Sequence, residues 1–121
     1  MSFYVPYSEL SEGARTFDNA IASLMEELEA TNYYNQRADV ATDESLKEIM
    51  IHNRNEEIEH VAMLVEWFRR NSPEFEEELK TYLFTDAPIT AVESAATGDG
   101  DAGGGAKAPG TASLGLGSFR K

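Results

Sequence analysis

Apolar residues recur at intervals of three and four along most of this chain. From about Ser8 to Ala38, the positions Phe17, Ile21, Leu24, Leu28, Thr31 and Asn35 form one stripe that is mostly apolar. That spacing is the signature of an α-helix with one face against a core. Ser8, just after Pro6, is the expected N-cap. At about 1.5 Å per residue, such a helix reaches roughly 45 Å. Thr42-Asp43-Glu44 then reads as a cap with an acidic first turn, which suits the helix dipole. A second helix is expected from there to about Arg70, with Leu46, Met50, Leu64 and Phe68 on one stripe. Arg69 and Arg70 fall at its C-terminal end, where cations are favoured. So short a break between two long helices makes them antiparallel neighbours. Ser72-Pro73 restarts a short helix that runs to about Leu83, and Ile89 to Ala96 adds another turn or two. No segment alternates with a strand period, so the expected fold class is all-α.

The pattern stops near the end. From Thr97 to Ala112 the chain reads "TGDGDAGGGAKAPGTA", and Gly and Ala replace large apolar residues. Such a composition predicts a flexible linker. The last residues, "SLGLGSFRK", change again: Leu114, Leu116 and Phe119 alternate with Gly and Ser before Arg120-Lys121. A long tether with a small apolar tip reads as a docking peptide, the plainer alternative being a disordered terminus of no function. The organisation expected is a helical domain over residues 1–96, a linker over 97–110 and a docking segment over 111–121.

Composition narrows the chemistry. The chain has 121 residues, 22 acidic against 10 basic side chains, and a formal net charge of −12. Nucleic acid needs a basic patch, and none is present. Cations are the natural partners. There is no cysteine, which excludes disulfides, iron–sulfur clusters and thiol catalysis. The opening "MSFYVPYSEL" lacks the basic and apolar regions of a signal peptide, and no stretch is long enough for a membrane span. The expected location is cytoplasmic. A helical unit of about 95 residues is marginal alone, and self-association would help it.

The candidate chemistry lies in "NEEIEHVAM". On a helical wheel, Leu46, Met50, Asn53, Glu57, His60, Leu64 and Phe68 fall within an arc of roughly 80°. Glu57 and His60 therefore lie inside the apolar stripe, while Glu56 and Glu59 point elsewhere. A carboxylate and an imidazole on a buried seam are costly unless they are paired or bound to a metal. Their i, i+3 spacing is the Glu-x-x-His element of ferritin-like di-iron bundles. A His–Glu hydrogen bond tying two helices together is the plainer alternative. On the first helix, Glu27 groups with Ala20, Thr31 and Tyr34 at the flank of the stripe. Tyr34 reads either as a hydrogen-bond partner for a ligating carboxylate or as an ordinary core aromatic. Spacing alone makes Glu26 and Glu29 a solvated acidic face. His52 falls off the seam.

A di-iron carboxylate site takes four carboxylates and two histidines from four helices. This chain offers Glu27, Glu57 and His60 on two. That is half a site, and a second copy related by a two-fold axis would supply the rest. Carboxylate and imidazole donors suit iron or manganese, and also zinc.

The stretches "MEELEATNYYNQR", "HNRNEEIEHVAMLVEWFRRN" and "TYLFTDAPITAVE", with the "SLGLGSFRK" tail, closely resemble the encapsulated ferritins of bacterial encapsulin systems. The likeness runs from about Ala22 to the C-terminus. It implies a half-ferritin whose homodimers form a ferroxidase centre from Glu27, Glu57 and His60 and assemble into an annular homodecamer. It implies that Tyr34 stands beside the centre. It turns Glu26 and Glu29 from a solvated face into a metal transit site at the dimer interface. It further implies an iron cofactor at a di-iron centre, with zinc, manganese or calcium able to occupy sites. The tail would dock onto the inner wall of an encapsulin shell, placing the protein in that lumen, where ferric iron is stored. Tyr33 departs from the tryptophan of other members. The alternatives are another di-metal carboxylate oxidase, or a non-catalytic acidic helical dimer that binds divalent cations.

Overall fold

The computed structural model describes residues 4–97; Thr97, expected to open the linker, instead closes a helix, and the rest of the expected linker and the docking segment lie outside the described residues. Every regular element among the described residues is helical, as the periodicity predicts. A 3-10 turn, Tyr7–Glu9, precedes α1 (Glu12–Val40), α2 (Glu44–Asn71), α3 (Pro73–Tyr82) and α4 (Ile89–Thr97). The chain divides into two compact units between Phe68 and Arg69.

In the first unit the cap of α1 is Ser11, not Ser8: its Oγ accepts from Ala14 N–H at 3.1 Å. Ser8 is instead drawn into the preceding turn, where Arg15 holds it. The Arg15 guanidinium donates to the carbonyls of Tyr7 and Ser8, each at 3.1 Å, and lies 4.7 Å from the centroid of the Tyr7 ring. At the other end of α1, the link of residues 41–43 is too short for anything but reversal. Asp43 starts α2, its Oδ2 accepting from Leu46 N–H at 2.9 Å and from Ser45 Oγ at 2.8 Å. The Leu46 amide, with Ser45 second, holds the Asp43 carboxyl below its usual range. That cap is fully present above the ordinary carboxylate pKa and is lost as pH falls through the lowered one.

Three contacts show how α1 and α2 run past each other. Phe17 meets Phe68 edge to face, with centroids 5.4 Å apart. Glu27 meets His60, and Asn35 meets Arg54. As the number on α1 rises, its partner on α2 falls, so the hairpin is antiparallel. The α1 seam carries Phe17, Ile21, Leu24, Glu27, Thr31, Tyr34 and Ala38, all buried or half-buried. The expected stripe had Leu28 and Asn35 in place of Glu27 and Tyr34, but Leu28 is 50% exposed and Asn35 is exposed. Among the described residues, the apolar side chains that are buried outright are Ala38 and Phe68. Met25, Ile49, Ile58 and Met63 each remain about half exposed or more. This hairpin leaves much of its apolar surface open.

In the second unit α3 is capped by Ser72, buried, whose Oγ accepts from Phe75 N–H at 3.2 Å, with Pro73 at the first helical position. Arg69 Nη1 donates to Glu76 Oε2 at 3.1 Å, and Lys80 approaches the same oxygen at 3.4 Å. Phe84, with φ of 61°, ends α3 in the left-handed region where glycine is usual, and α4 then packs against α3.

Candidate metal centre

Midway along the hairpin the seam turns polar. Glu27 comes from α1, and Glu57 and His60 lie one turn apart on α2. His60 Nδ1 stands 3.3 Å from Glu27 Oε1 and 3.2 Å from Glu57 Oε1. Each residue offers one ligand atom, and these atoms lie within 4.8 Å of one another. All three are half-buried, so the trio is reachable from outside the hairpin. Thr31, on the same seam, donates its hydroxyl to the Glu27 carbonyl at 2.8 Å, pinning the backbone one turn along.

The protonation states follow from this crowding. Contact with Glu57 raises the Glu27 carboxyl above its ordinary 4.5, and loss of solvent adds to the shift. Glu57 moves the other way, lowered chiefly by its hydrogen bond with Glu27 and further by His60. The shared contact thus favours the protonated form of Glu27 more than in an ordinary carboxyl, and the charged form of Glu57. The Glu27 contact, then that of Glu57, raises His60 above 6.5 against the opposing effect of burial.

The pH dependence has a definite sign. The raised imidazole pKa stabilises the metal-free fold below 6.5, and that contribution is lost as pH rises through the folded value. A divalent ion must displace the same proton, so its affinity moves in the opposite direction. Affinity for Mn(II) is expected to rise by about tenfold between about pH 6 and about pH 8, with protons released on binding. Calorimetric titrations in two buffers of different ionisation enthalpy measure both. Equal affinity at the two pH values, with no proton release, would exclude His60 as a ligand.

The other anticipated residues take different places. Tyr34 is half-buried on the α1 seam, its ring 5.3 Å from the Arg37 guanidinium, and among the described residues no hydrogen bond joins it to the trio. Glu26 and Glu29 are exposed on α1, outside the trio. The Tyr33 hydroxyl donates to Glu29 Oε2 at 2.9 Å, and this bond raises the phenol above its usual pKa. His52 is exposed and, among the described residues, reaches Glu56 alone, at 3.8 Å. One group escapes a reading by periodicity. Arg54 spans from α2 to Asn35 on α1, and its polarity and sequence spacing gave no sign of a cross-helix role.

Two carboxylates and an imidazole form a donor set for a hard or borderline divalent ion, and the geometry brings those donors together. Residues 2–86 match the family described as EncFtn-like. The chain is 50% identical over 123 residues to the encapsulated ferritin-like protein of Rhodospirillum rubrum, covering 98% of this chain and 88% of that one. It is 48% identical over 103 residues to a ferritin-like protein of Thermotoga maritima, covering 85% and 90%. Its fold is similar to the crystal structure of a Nitrosomonas europaea protein, with a TM-score of 0.71 and 53% identity over 74% of this chain and 98% of that one. A helical hairpin with a carboxylate–imidazole trio on its seam, matched over most of its length by these relatives, belongs to the encapsulated ferritin-like family.

Proposed function

We propose that this chain is one half of a ferroxidase. The observation that carries the reading is the convergence of Glu27, Glu57 and His60 within ligand distance of one another on an otherwise unfinished hairpin. Two copies facing across a two-fold axis cover each other's apolar surface and bring four carboxylates and two imidazoles together. Iron is the substrate. Two Fe(II) ions give up one electron each, and the pair of electrons reduces dioxygen or peroxide. The carboxylates favour the oxidised product, because their negative charge compensates the higher charge on Fe(III).

The other residues have roles around that step. Glu26 and Glu29 offer exposed carboxylates on α1 and serve as the transit site that passes cations inward. Tyr34, half-buried on the seam beside the trio, lines the centre. Residues 111–121 dock the protein to an encapsulin shell, in whose lumen ferric iron accumulates. The dimers assemble into an annular decamer. No helix among the described residues is long and apolar enough to cross a membrane, which agrees with a lumenal cargo. Zinc, manganese or calcium compete for the same oxygen and nitrogen donors.

The hydrogen bonds of His60 favour one rival: the trio as a polar tie between α1 and α2, with no metal role. Crystals soaked in Fe(II) separate the two. Anomalous scattering is expected to show two ions about 3.5–4 Å apart between two copies of the trio. A map without anomalous peaks there would leave the polar tie as the function of these residues.

A further inference from the structure

We propose that Arg54, acting through Asn35, is the positioning residue that sets the register of α2 against α1 and thereby assembles the metal-ligating trio. The metal part of this inference rests on the proposed function above; the register part does not.

The register of α2 against α1 decides whether the trio can meet. At the trio the seam residues are Glu27, Thr31, Asn53, Glu57 and His60, with half-buried Leu24 and Leu64 one turn away on the side of the Phe17–Phe68 pair. One residue of slide moves a helix by about 1.5 Å. The His60–Glu27 contact, at 3.3 Å, already lies at the long end of the hydrogen-bond range. Half a residue of slip would break it.

Two contacts flank the trio. On one side is the Phe17–Phe68 pair, with centroids 5.4 Å apart at 80°. Edge-to-face rings remain in contact over centroid separations of about 4.5–7 Å, so this contact tolerates sliding. On the other side, Arg54 Nη1 donates to Asn35 Oδ1 at 3.0 Å. That bond tolerates only a few tenths of an ångström. The guanidinium is itself held, because Nε and Nη2 both donate to Asn55 Oδ1, at 3.2 and 3.0 Å. With its side edge fixed on its own helix, the remaining nitrogen is aimed across at α1. A planar fork can do this and an ammonium cannot. Arg54 lies one turn before Glu57 on the same helix, so the strut acts next to the ligands.

Asn35→Ala and Arg54→Lys, alone and combined, test this in the full-length chain. The first readout needs no metal. Because the native chain has no cysteine, Ser23→Cys and Ala62→Cys give two clean spin-label sites on exposed positions of α1 and α2. Labelled protein diluted into unlabelled protein reports the distance within one chain. The distribution is expected to broaden, or to shift by about one helical rise of 1.5 Å, in either variant. The second readout is Mn(II) affinity, followed by the spin resonance of the free ion. Each substitution is expected to weaken binding by about tenfold, the lower end of what supporting residues contribute to metal sites. The double variant should be no weaker than either single one. Asn35 is exposed, and its replacement removes only the acceptor, so this arm reads the register even if Arg54→Lys lowers the yield of folded chain. An unchanged distance distribution would overturn the proposal, as would a double variant weakened by the product of the two single effects. A purely stabilising strut would lower the melting temperature and leave the distances and Mn(II) affinity alone. If the distances respond but the native chain binds no Mn(II), the register role stands and the ferroxidase reading falls.

Discussion

Replacing Glu57 or His60 with alanine is expected to cut iron-stimulated oxygen consumption by at least about a hundredfold, the upper end of what merely supporting residues contribute to metal sites. A direct ligand has more to lose than a supporting residue. The arrangement makes the loss larger still. His60 Nδ1 touches both carboxylates, so removing the imidazole deletes a donor and also the group that offsets the charge of Glu27 and Glu57. Removing Glu57 takes away the carboxylate whose charged form the trio favours. In a two-fold assembly each substitution acts twice, leaving four of the six donors. His52→Ala is the matched control, since that imidazole is exposed and, among the described residues, reaches Glu56 alone. It should oxidise iron at the native rate. Full oxidation in both Glu57→Ala and His60→Ala would end the ferroxidase assignment.

Deleting residues 111–121 is expected to abolish co-purification with an encapsulin shell while iron oxidation by the isolated protein stays intact. The residues proposed for the two functions lie in separate stretches of chain. The ligand trio is complete by His60, and α4 ends at Thr97. Leu114, Leu116 and Phe119 supply apolar side chains at alternate or near-alternate positions, spaced for insertion into shallow pockets, and Arg120-Lys121 add charge. Co-expression with the shell protein, followed by size-exclusion chromatography, reads the outcome. Truncated protein eluting inside intact shells would assign the docking role elsewhere.

The long helices were legible because period and caps agree over many residues, and Asp43 and Ser72 cap as their neighbours suggest. Ser8 failed as a cap for a reason no propensity contains: Arg15, a turn or two later, claims its carbonyl. The inward placement of Glu57 and His60 could be read because their wheel position conflicts with their polarity. Glu27 was placed at the flank of the stripe, and it lies on the seam itself. Leu28, its apolar neighbour, drew the expected stripe to one side, yet Leu28 lies half exposed. A pattern search assumes that apolar residues mark the face toward the rest of the same chain. That assumption fails when a helix has a second apolar face left open, as this hairpin does. The Arg54–Asn35 strut was invisible for a simpler reason: its partners are far apart in sequence and unremarkable in type.

The short link of residues 41–43 bears on the order of events in the protein's life. Its closure brings Glu27 and His60 together across only 33 positions of chain. Helical units dominated by such near-neighbour contacts fold within about microseconds to milliseconds. Meeting another molecule depends on concentration and is slower for a newly made chain. Closure within one chain is therefore expected to outpace association, so that a cation taken up by the trio would become part of the surface a second copy meets.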